Sequence, residues 1–207
     1  MKESEISKRL IDMIEPVVKP LGFEKQKGEE DWRFYKNTSF GYNEISLLIW
    51  AYDKSFYVGL AFSIRISELN KVYNPYSTFS ETAFETNSTI GAGINSFGYS
   101  EDGKIKVETP TELDNTINTL KEILIKKALP FFEHFTTIKS LDEEFNKENR
   151  KPHLYVHDTD RCILGLTAAA LNKNPNFSYW EQYYRDRLKN ASQHRKEKYE
   201  ALVKHLK

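Results

Sequence analysis

Between Asp31 and Ile66, three runs rich in aromatic residues are separated by short polar breaks: DWRFYKN, GYNEISLLIWAY and SFYVGLAFSIRI. Successive side chains of a strand point to opposite faces, so a half-buried strand alternates apolar and polar residues. In the third run Phe56, Val58, Leu60, Phe62, Ile64 and Ile66 share one parity, and Tyr57, Gly59, Ala61, Ser63 and Arg65 hold the other. This predicts a strand with one buried face. In the second run Ile45, Leu47 and Ile49 share a parity while Leu48 and Trp50 occupy the other, which predicts a central strand covered on both faces. Asn37 to Gly41 and Asp53-Lys54-Ser55 suit the intervening turns. Together the runs predict an antiparallel β-meander.

Helical spacing governs most of the remainder. Ile6, Leu10, Met13, Ile14 and Val17 mark one stripe of a helix over 4–19, ended by Pro20 and Gly22. Phe23 to Lys27 reads as a short exposed strand. The stretch from Ser67 to Ser100 is rich in Ser, Thr and Asn yet holds Tyr73, Tyr76, Phe79, Phe84, Phe97 and Tyr99. It reads as ordered loop with a short helix near 77–85. Lys104 to Glu108 adds a last strand after the Asp102-Gly103 turn. Thr109-Pro110-Thr111-Glu112 is a capping box with Pro at the first helical position. It opens a helix carried by Leu113, Ile117, Leu120, Leu124 and Ala128, which Pro130 kinks or ends. A short helix follows over 141–147. Asn146 to Pro152 is polar and ends in Pro, so a boundary is drawn there. A helix over 158–172 packs through Cys162, Ile163, Leu166 and Ala170, and Asn174-Pro175-Asn176 breaks it. Ser178-Tyr179-Trp180-Glu181 reads as a second capping box, opening a final helix of up to roughly 28 residues if unbroken.

The predicted fold is α+β: a meander of four to five antiparallel strands covered on one face by helices, with a C-terminal helical hairpin. The domain reading is 1–147 and 148–207.

Composition narrows the setting more than the activity. The 207 residues carry 30 Lys or Arg against 30 Asp or Glu, so no global charge favours nucleic acid or acidic lipid. A single cysteine, Cys162, excludes an intramolecular disulfide and favours a reducing compartment. The first residues are amphipathic, without the apolar core of a signal peptide. No run approaches the ~18 apolar residues of a membrane span. These features predict a cytoplasmic protein with no membrane partner.

The order of elements resembles the bacterial family of uncharacterised proteins called DUF4304. The residues carrying the resemblance are Leu21-Gly22-Phe23 with Lys25, Trp32 and Phe34 in the first aromatic run, the paired strands to Ile66, and Leu129-Pro130-Phe131-Phe132-Glu133 followed by Ser140-Leu141. It covers roughly residues 5 to 147 and implies an α+β fold with no assigned activity, so no site residue carries over from it.

Candidate chemistry lies in four places. His153 and His157, with Asp158 and Asp160 behind them, are the densest group of metal-ligand types. On a helix the two histidines share a face, as a two-His site requires. On a strand they stand roughly 13 Å apart, too far for one ion. Gly91-Ala-Gly93-Ile-Asn-Ser-Phe-Gly98 lacks the following helix that a phosphate loop needs, and reads instead as a glycine-rich loop packed on the sheet. Cys162 reads as a buried small hydrophobe. The chain end is basic: Arg185, Arg187, Lys189, Arg195, Lys196 and Lys198 head a set of eight cations against three acids, read as a solvated helix end or as an arm for nucleic acid.

The leading expectation is a non-enzymatic module for a protein or small ligand. It would use the aromatic loop, with Tyr73, Tyr76, Phe97 and Tyr99, and the open sheet face. A hydrolase or transferase built on His153 and His157, and a nucleic-acid-associated factor using the basic end, are the alternatives. No cofactor is predicted.

Overall fold

The structure is a computed structural model that describes residues 2–27, 31–52, 55–147 and 156–207. The predicted turn at 53–54, most of the boundary at 146–152, and His153 lie outside the described residues. The fold is α+β, with elements in the order α1 (Glu3–Val18), β1 (Glu24–Lys27), β2 (Asp31–Thr38), β3 (Gly41–Tyr52), β4 (Ser55–Ile66), α2 (Ser67–Tyr73), β5 (Ile90–Gly93), β6 (Ile105–Val107), α3 (Pro110–Ile123), α4 (Leu129–His134), α5 (Ile138–Phe145), α6 (Asp158–Leu171), α7 (Phe177–Arg187) and α8 (Gln193–Leu206).

The chain divides into two compact units. One holds Met1–Ile64 and Gly91–His134, the other Arg65–Ile90 and Phe135–Lys207. Residues 65–90 and 135–147 thus group with the C-terminal helices, whereas the sequence reading drew its line at 147.

The first unit is built on the sheet, with strand order β1-β2-β3-β4-β5 and β6 paired to β4. The β1/β2, β2/β3 and β4/β6 ladders are antiparallel. β3 is central, as its doubled apolar parity implied. Phe34, Ile45, Leu47, Val58, Leu60, Phe62 and Ile64 form the buried face. α1 and α3 pack against each other, and α4 sets Phe131 and Phe132 edge-on to Phe62 with centroids at 5.1 and 6.1 Å. Each fully buried side chain of this size stabilises by about 1.5–3 kcal/mol, so this face is the main source of cohesion in the unit.

Local chemistry explains the ends of these elements. A 3₁₀ turn over Lys19–Leu21 follows α1 and is closed by Gly22 in the left-handed conformation, at φ 86°. Thr109 and Glu112 form the predicted capping box. Pro130, which has no amide hydrogen, neither ends nor sharply breaks the helical run. A π-helical turn over Leu124–Ala128 widens the backbone ahead of it, and α4 continues. The glycine-rich stretch 91–98 is no loop at its start, because Ile90–Gly93 adds a strand to the sheet. A Cβ on Gly91 would stand 3.2 Å from Phe62 O and from Ser63 Cβ, so the close approach to β4 favours glycine.

The second unit is helical. α6 is its centre: every residue from Arg161 to Ala169 is buried. The predicted box at Ser178–Glu181 does not form. α7 starts at Phe177 with Asn176 as its cap residue, and the Glu181 side chain instead receives Arg185 and Lys207. The final helix is also not continuous. A single turn at Leu188–Asn190 precedes Ser192, whose hydroxyl caps α8, and α8 buries Tyr199, Leu202 and Val203. The apolar residues beyond 198 return this segment to the core.

The Asn-rich stretch before β5 has a polar interior of its own. Asn70 Nδ2 donates to Asn87 O at 2.9 Å, Asn74 Nδ2 to Phe84 O at 2.7 Å, and Asn87 Nδ2 to Asn74 Oδ1 at 2.8 Å. Arg65 donates to Asn87 O and Phe84 O at 2.6 and 2.7 Å. Thr89 accepts from Ile66 N at 2.8 Å and donates to Asn70 Oδ1. A short helix stands at Ser67–Tyr73, ahead of the predicted position near 77–85, where a single 3₁₀ turn lies at Glu81–Ala83.

Candidate functional site: the second face of the sheet

The cross-strand register fixes which side chains share the other face of the first unit. Asp31 stands opposite Leu48, Arg33 opposite Ser46, Tyr35 opposite Glu44 and Asn37 opposite Tyr42. Trp50 and Tyr52 continue the β3 parity. On β4, Tyr57 lies opposite Lys106 of β6. All these residues are half-buried or exposed, and Tyr52 retains 53% of its surface. The expectation that β3 is covered on both faces is therefore corrected: Leu48 and Trp50 are half-buried.

Two aromatic groups stand on this face. Tyr35 and Tyr42 meet edge-on at 5.8 Å. Tyr52 and Tyr57 meet edge-on at 5.4 Å, with the Lys104 ammonium 4.7 Å from the Trp50 ring centre and 5.6 Å from that of Tyr52. Gly59 makes the second group possible. A Cβ there would lie 2.8 Å from Gly103 O and 3.2 Å from the Trp50 ring, so the close approach of the indole and of Gly103 to β4 favours glycine.

Between the groups the polar side chains neutralise one another. Arg33 Nε donates to Asp31 at 2.7 Å, its Nη1 donates to the Tyr35 hydroxyl at 3.1 Å, and Glu44 lies 3.9 Å away. Ser46 donates to Glu44 at 2.6 Å. The bonds to Tyr35 and Asp31 hold Arg33 more firmly protonated than usual, and burial raises the Tyr35 phenol. The face thus offers rings and satisfied polar groups, with its central cation already balanced by two carboxylates.

The residues singled out in the sequence are placed as follows. Tyr73 is a core residue of the second unit at 1% exposure. Tyr76 is half-buried beside His205, with ring centres 5.7 Å apart. Phe97 and Tyr99 belong to the first unit, where Phe97 stacks on Phe62 at 5.8 Å and Tyr99 is exposed. His157 is exposed at the start of α6, with Nδ1 3.0 Å from Thr159 Oγ1. Among the described residues no group of three or more His, Cys, Asp or Glu side chains gathers for a metal ion. Cys162 is buried, as expected, beside a cleft of about 440 Å³ shared with Thr159 and Leu188.

The basic residues are largely engaged within their own unit. Arg185 bridges Glu181 at 3.0 Å and Glu200 at 2.8 Å. Arg187 donates to the Tyr183 hydroxyl at 3.2 Å, and Lys189 pairs with Asp186 at 2.9 Å. Arg195 lies 3.8 Å from Asp160 and donates to Thr159, while Lys198 donates to Pro75 O at 2.6 Å. Lys196 is half-buried on α8.

Sequence reasoning named the sheet face only in general terms. It had a usable signal in Leu48 and Trp50, two apolar residues on the parity opposite the core. Among the described residues no helix is long and apolar enough to cross a membrane. No family model, curated protein or solved structure matches the chain.

Proposed function

We propose that the chain is a non-enzymatic binding module that takes a protein partner on the second face of its sheet. The observation carrying this reading is the group of half-buried Trp50 and Tyr57 with exposed Tyr52, admitted close to β4 by Gly59 and topped by Lys104. Aromatic side chains with polar tips give large contact area at low conformational cost and are enriched in protein interfaces. The neutralised Arg33 favours a partner with a largely uncharged patch over a phosphate backbone, whose recognition needs uncompensated cations. The proposed setting is the cytoplasm, in keeping with a chain whose one cysteine, Cys162, has no second cysteine to pair with. The resemblance to DUF4304 bacterial proteins is kept as a proposal of kinship, supported by the aromatic strands over which it runs.

The test compares the wild-type protein with a Trp50→Ser/Tyr57→Ser variant. A protein that co-purifies in stoichiometric amount with the wild type, and rebinds it from purified components, should bind the folded variant at least about tenfold more weakly. Equal binding by both forms would reject the sheet face as the contact.

A further inference from the structure

A second site is formed in the same unit, on the other side of the sheet, where α1 passes the β1–β2 hairpin. The cleft there has a volume of about 570 Å³, within the range of roughly 300–1,000 Å³ typical of small-molecule sites. Its walls follow from two periodicities. On α1, residues 3, 7 and 11 and residues 4, 8 and 12 form adjacent columns at helical spacing. On the hairpin, Lys27 lies opposite Trp32 and Lys25 opposite Phe34, so Lys25, Lys27 and Trp32 share the face that meets α1. Ile11, at 8% exposure, adds an apolar patch.

The charges are arranged unevenly. Lys25 and Lys27 place their ammonium groups 5.9 and 5.7 Å from the centre of the Trp32 ring. Lys25 is also bonded to Glu15 at 2.7 Å, which lowers that carboxyl through the hydrogen bond. Lys8 and Lys27 make no ion pair among the described residues. Glu3 and Asp12 line the cleft as well, but nine residues of helix, roughly 13 Å, separate them. Lys8 lies between them in the α1 sequence, across from the hairpin lysines.

We propose that this cleft binds a small aromatic anion, a flat ring bearing a carboxylate or a phosphate. The ring packs on Trp32 and Ile11, and the anionic group sits between Lys8 and Lys27, with Ser7 as a further hydrogen-bonding group. The Trp32 ring gives the Lys25 and Lys27 ammoniums a favourable resting place over its face, so Lys27 is held near the position the anion takes. The site is independent of the sheet-face reading, because Trp32 and Trp50 stand on opposite faces of the sheet.

The test is nuclear magnetic resonance of the intact chain, whose three tryptophans give three indole N–H signals. 4-Hydroxybenzoate and adenosine 5′-monophosphate serve as the carboxylate and phosphate probes, with benzamide and adenosine as uncharged counterparts. The signal absent from Trp32→Phe should shift saturably with at least one anion, at a Kd of about 1 mM or tighter. Which probe binds tells carboxylate from phosphate. Lys27→Gln and Lys8→Gln should each weaken binding by about tenfold or more, while Lys139→Gln on α5 changes nothing. The proposal is overturned if neither anion gives a saturable shift, if the uncharged counterparts bind equally well, or if the lysine variants bind as the wild type does. None of these outcomes bears on the protein-binding face.

Discussion

In the helical unit Tyr73, Tyr184 and Tyr199 are each at 1% exposure or less. The Tyr184 hydroxyl donates to Asn146 Oδ1 at 2.6 Å, and that of Tyr199 donates to Glu181 O at 2.7 Å. In the sheet unit Tyr35, Tyr42, Trp50, Tyr52 and Tyr57 stand on a face where none is fully buried. The same residue types therefore serve different ends. In the helical unit all three fill volume, Tyr184 and Tyr199 also satisfy the backbone carbonyls of Phe145 and Glu181, and burial raises all three phenols. On the sheet they add little to the core that Phe34, Ile45, Leu47 and Phe62 already supply. A set of rings that the core does not need is the better candidate for contact with another molecule.

The units also differ in what holds them together, and substitutions can break or sharpen that contrast. Phe34→Ala removes a side chain at 1% exposure from the apolar face, and should cost about 3–5 kcal/mol in urea unfolding. A loss below about 1 kcal/mol would mean the sheet core is not the main support of its unit. Gly165→Ala comes next. Alanine is normally better than glycine inside a helix by about 1 kcal/mol. Here its Cβ would lie 2.2 Å from the Tyr184 hydroxyl and 2.7 Å from ring carbon Cζ, so a destabilisation of about 3 kcal/mol is expected. A stabilised variant would show that Tyr184 moves freely. Asn87→Ala tests the polar interior. It removes bonds to Asn70, Asn74 and Arg65, and stranding buried partners should cost about 2 kcal/mol.

Acid should weaken the helical unit through Glu181. Burial works to raise this carboxyl, but the bonds from Lys207 and Arg185 outweigh it and hold the group below its ordinary value of 4.5. A lowered folded-state pKa adds stability that is complete above the ordinary value and is lost as pH falls through the folded one. Glu181→Gln should accordingly flatten the decline in melting temperature below about pH 4.5, and an unchanged slope would remove Glu181 from the account. The smallest effect belongs to the binding face: Tyr57→Ala should change unfolding free energy by no more than about 1 kcal/mol. A larger loss would make the ring structural.

The sheet was legible because two-residue alternation is a direct consequence of strand geometry. Phe56 to Ile66 displays it without interruption, and β2, β3 and β4 stand where the runs placed them. The capping box at Thr109 was equally legible, being a local exchange of two hydrogen bonds. The helical unit was harder to read, because its order comes from partners distant in sequence. Arg161 is fully buried and donates to Phe145 O at 2.8 Å. Asp142 collects Asn172 and Asn174 at 2.6 and 3.0 Å. No spacing rule links such residues, so Asn70, Asn74 and Asn87 looked like loop composition. Ser178–Glu181 misled for the converse reason: the capping pattern is present, but Lys207 and Arg185 claim the glutamate. On the sheet face, periodicity located the rings without saying whether a helix covers them.

The most direct test of the central claim is site-specific photo-cross-linking in cells that make the protein, with benzoylphenylalanine placed at Tyr42 or Tyr57 and, for comparison, at exposed Lys121 on α3 of the same unit. Binding on the second sheet face predicts one discrete adduct with the same protein from positions 42 and 57, and none from 121. No adduct from either face position, or the same adduct from all three, would contradict it.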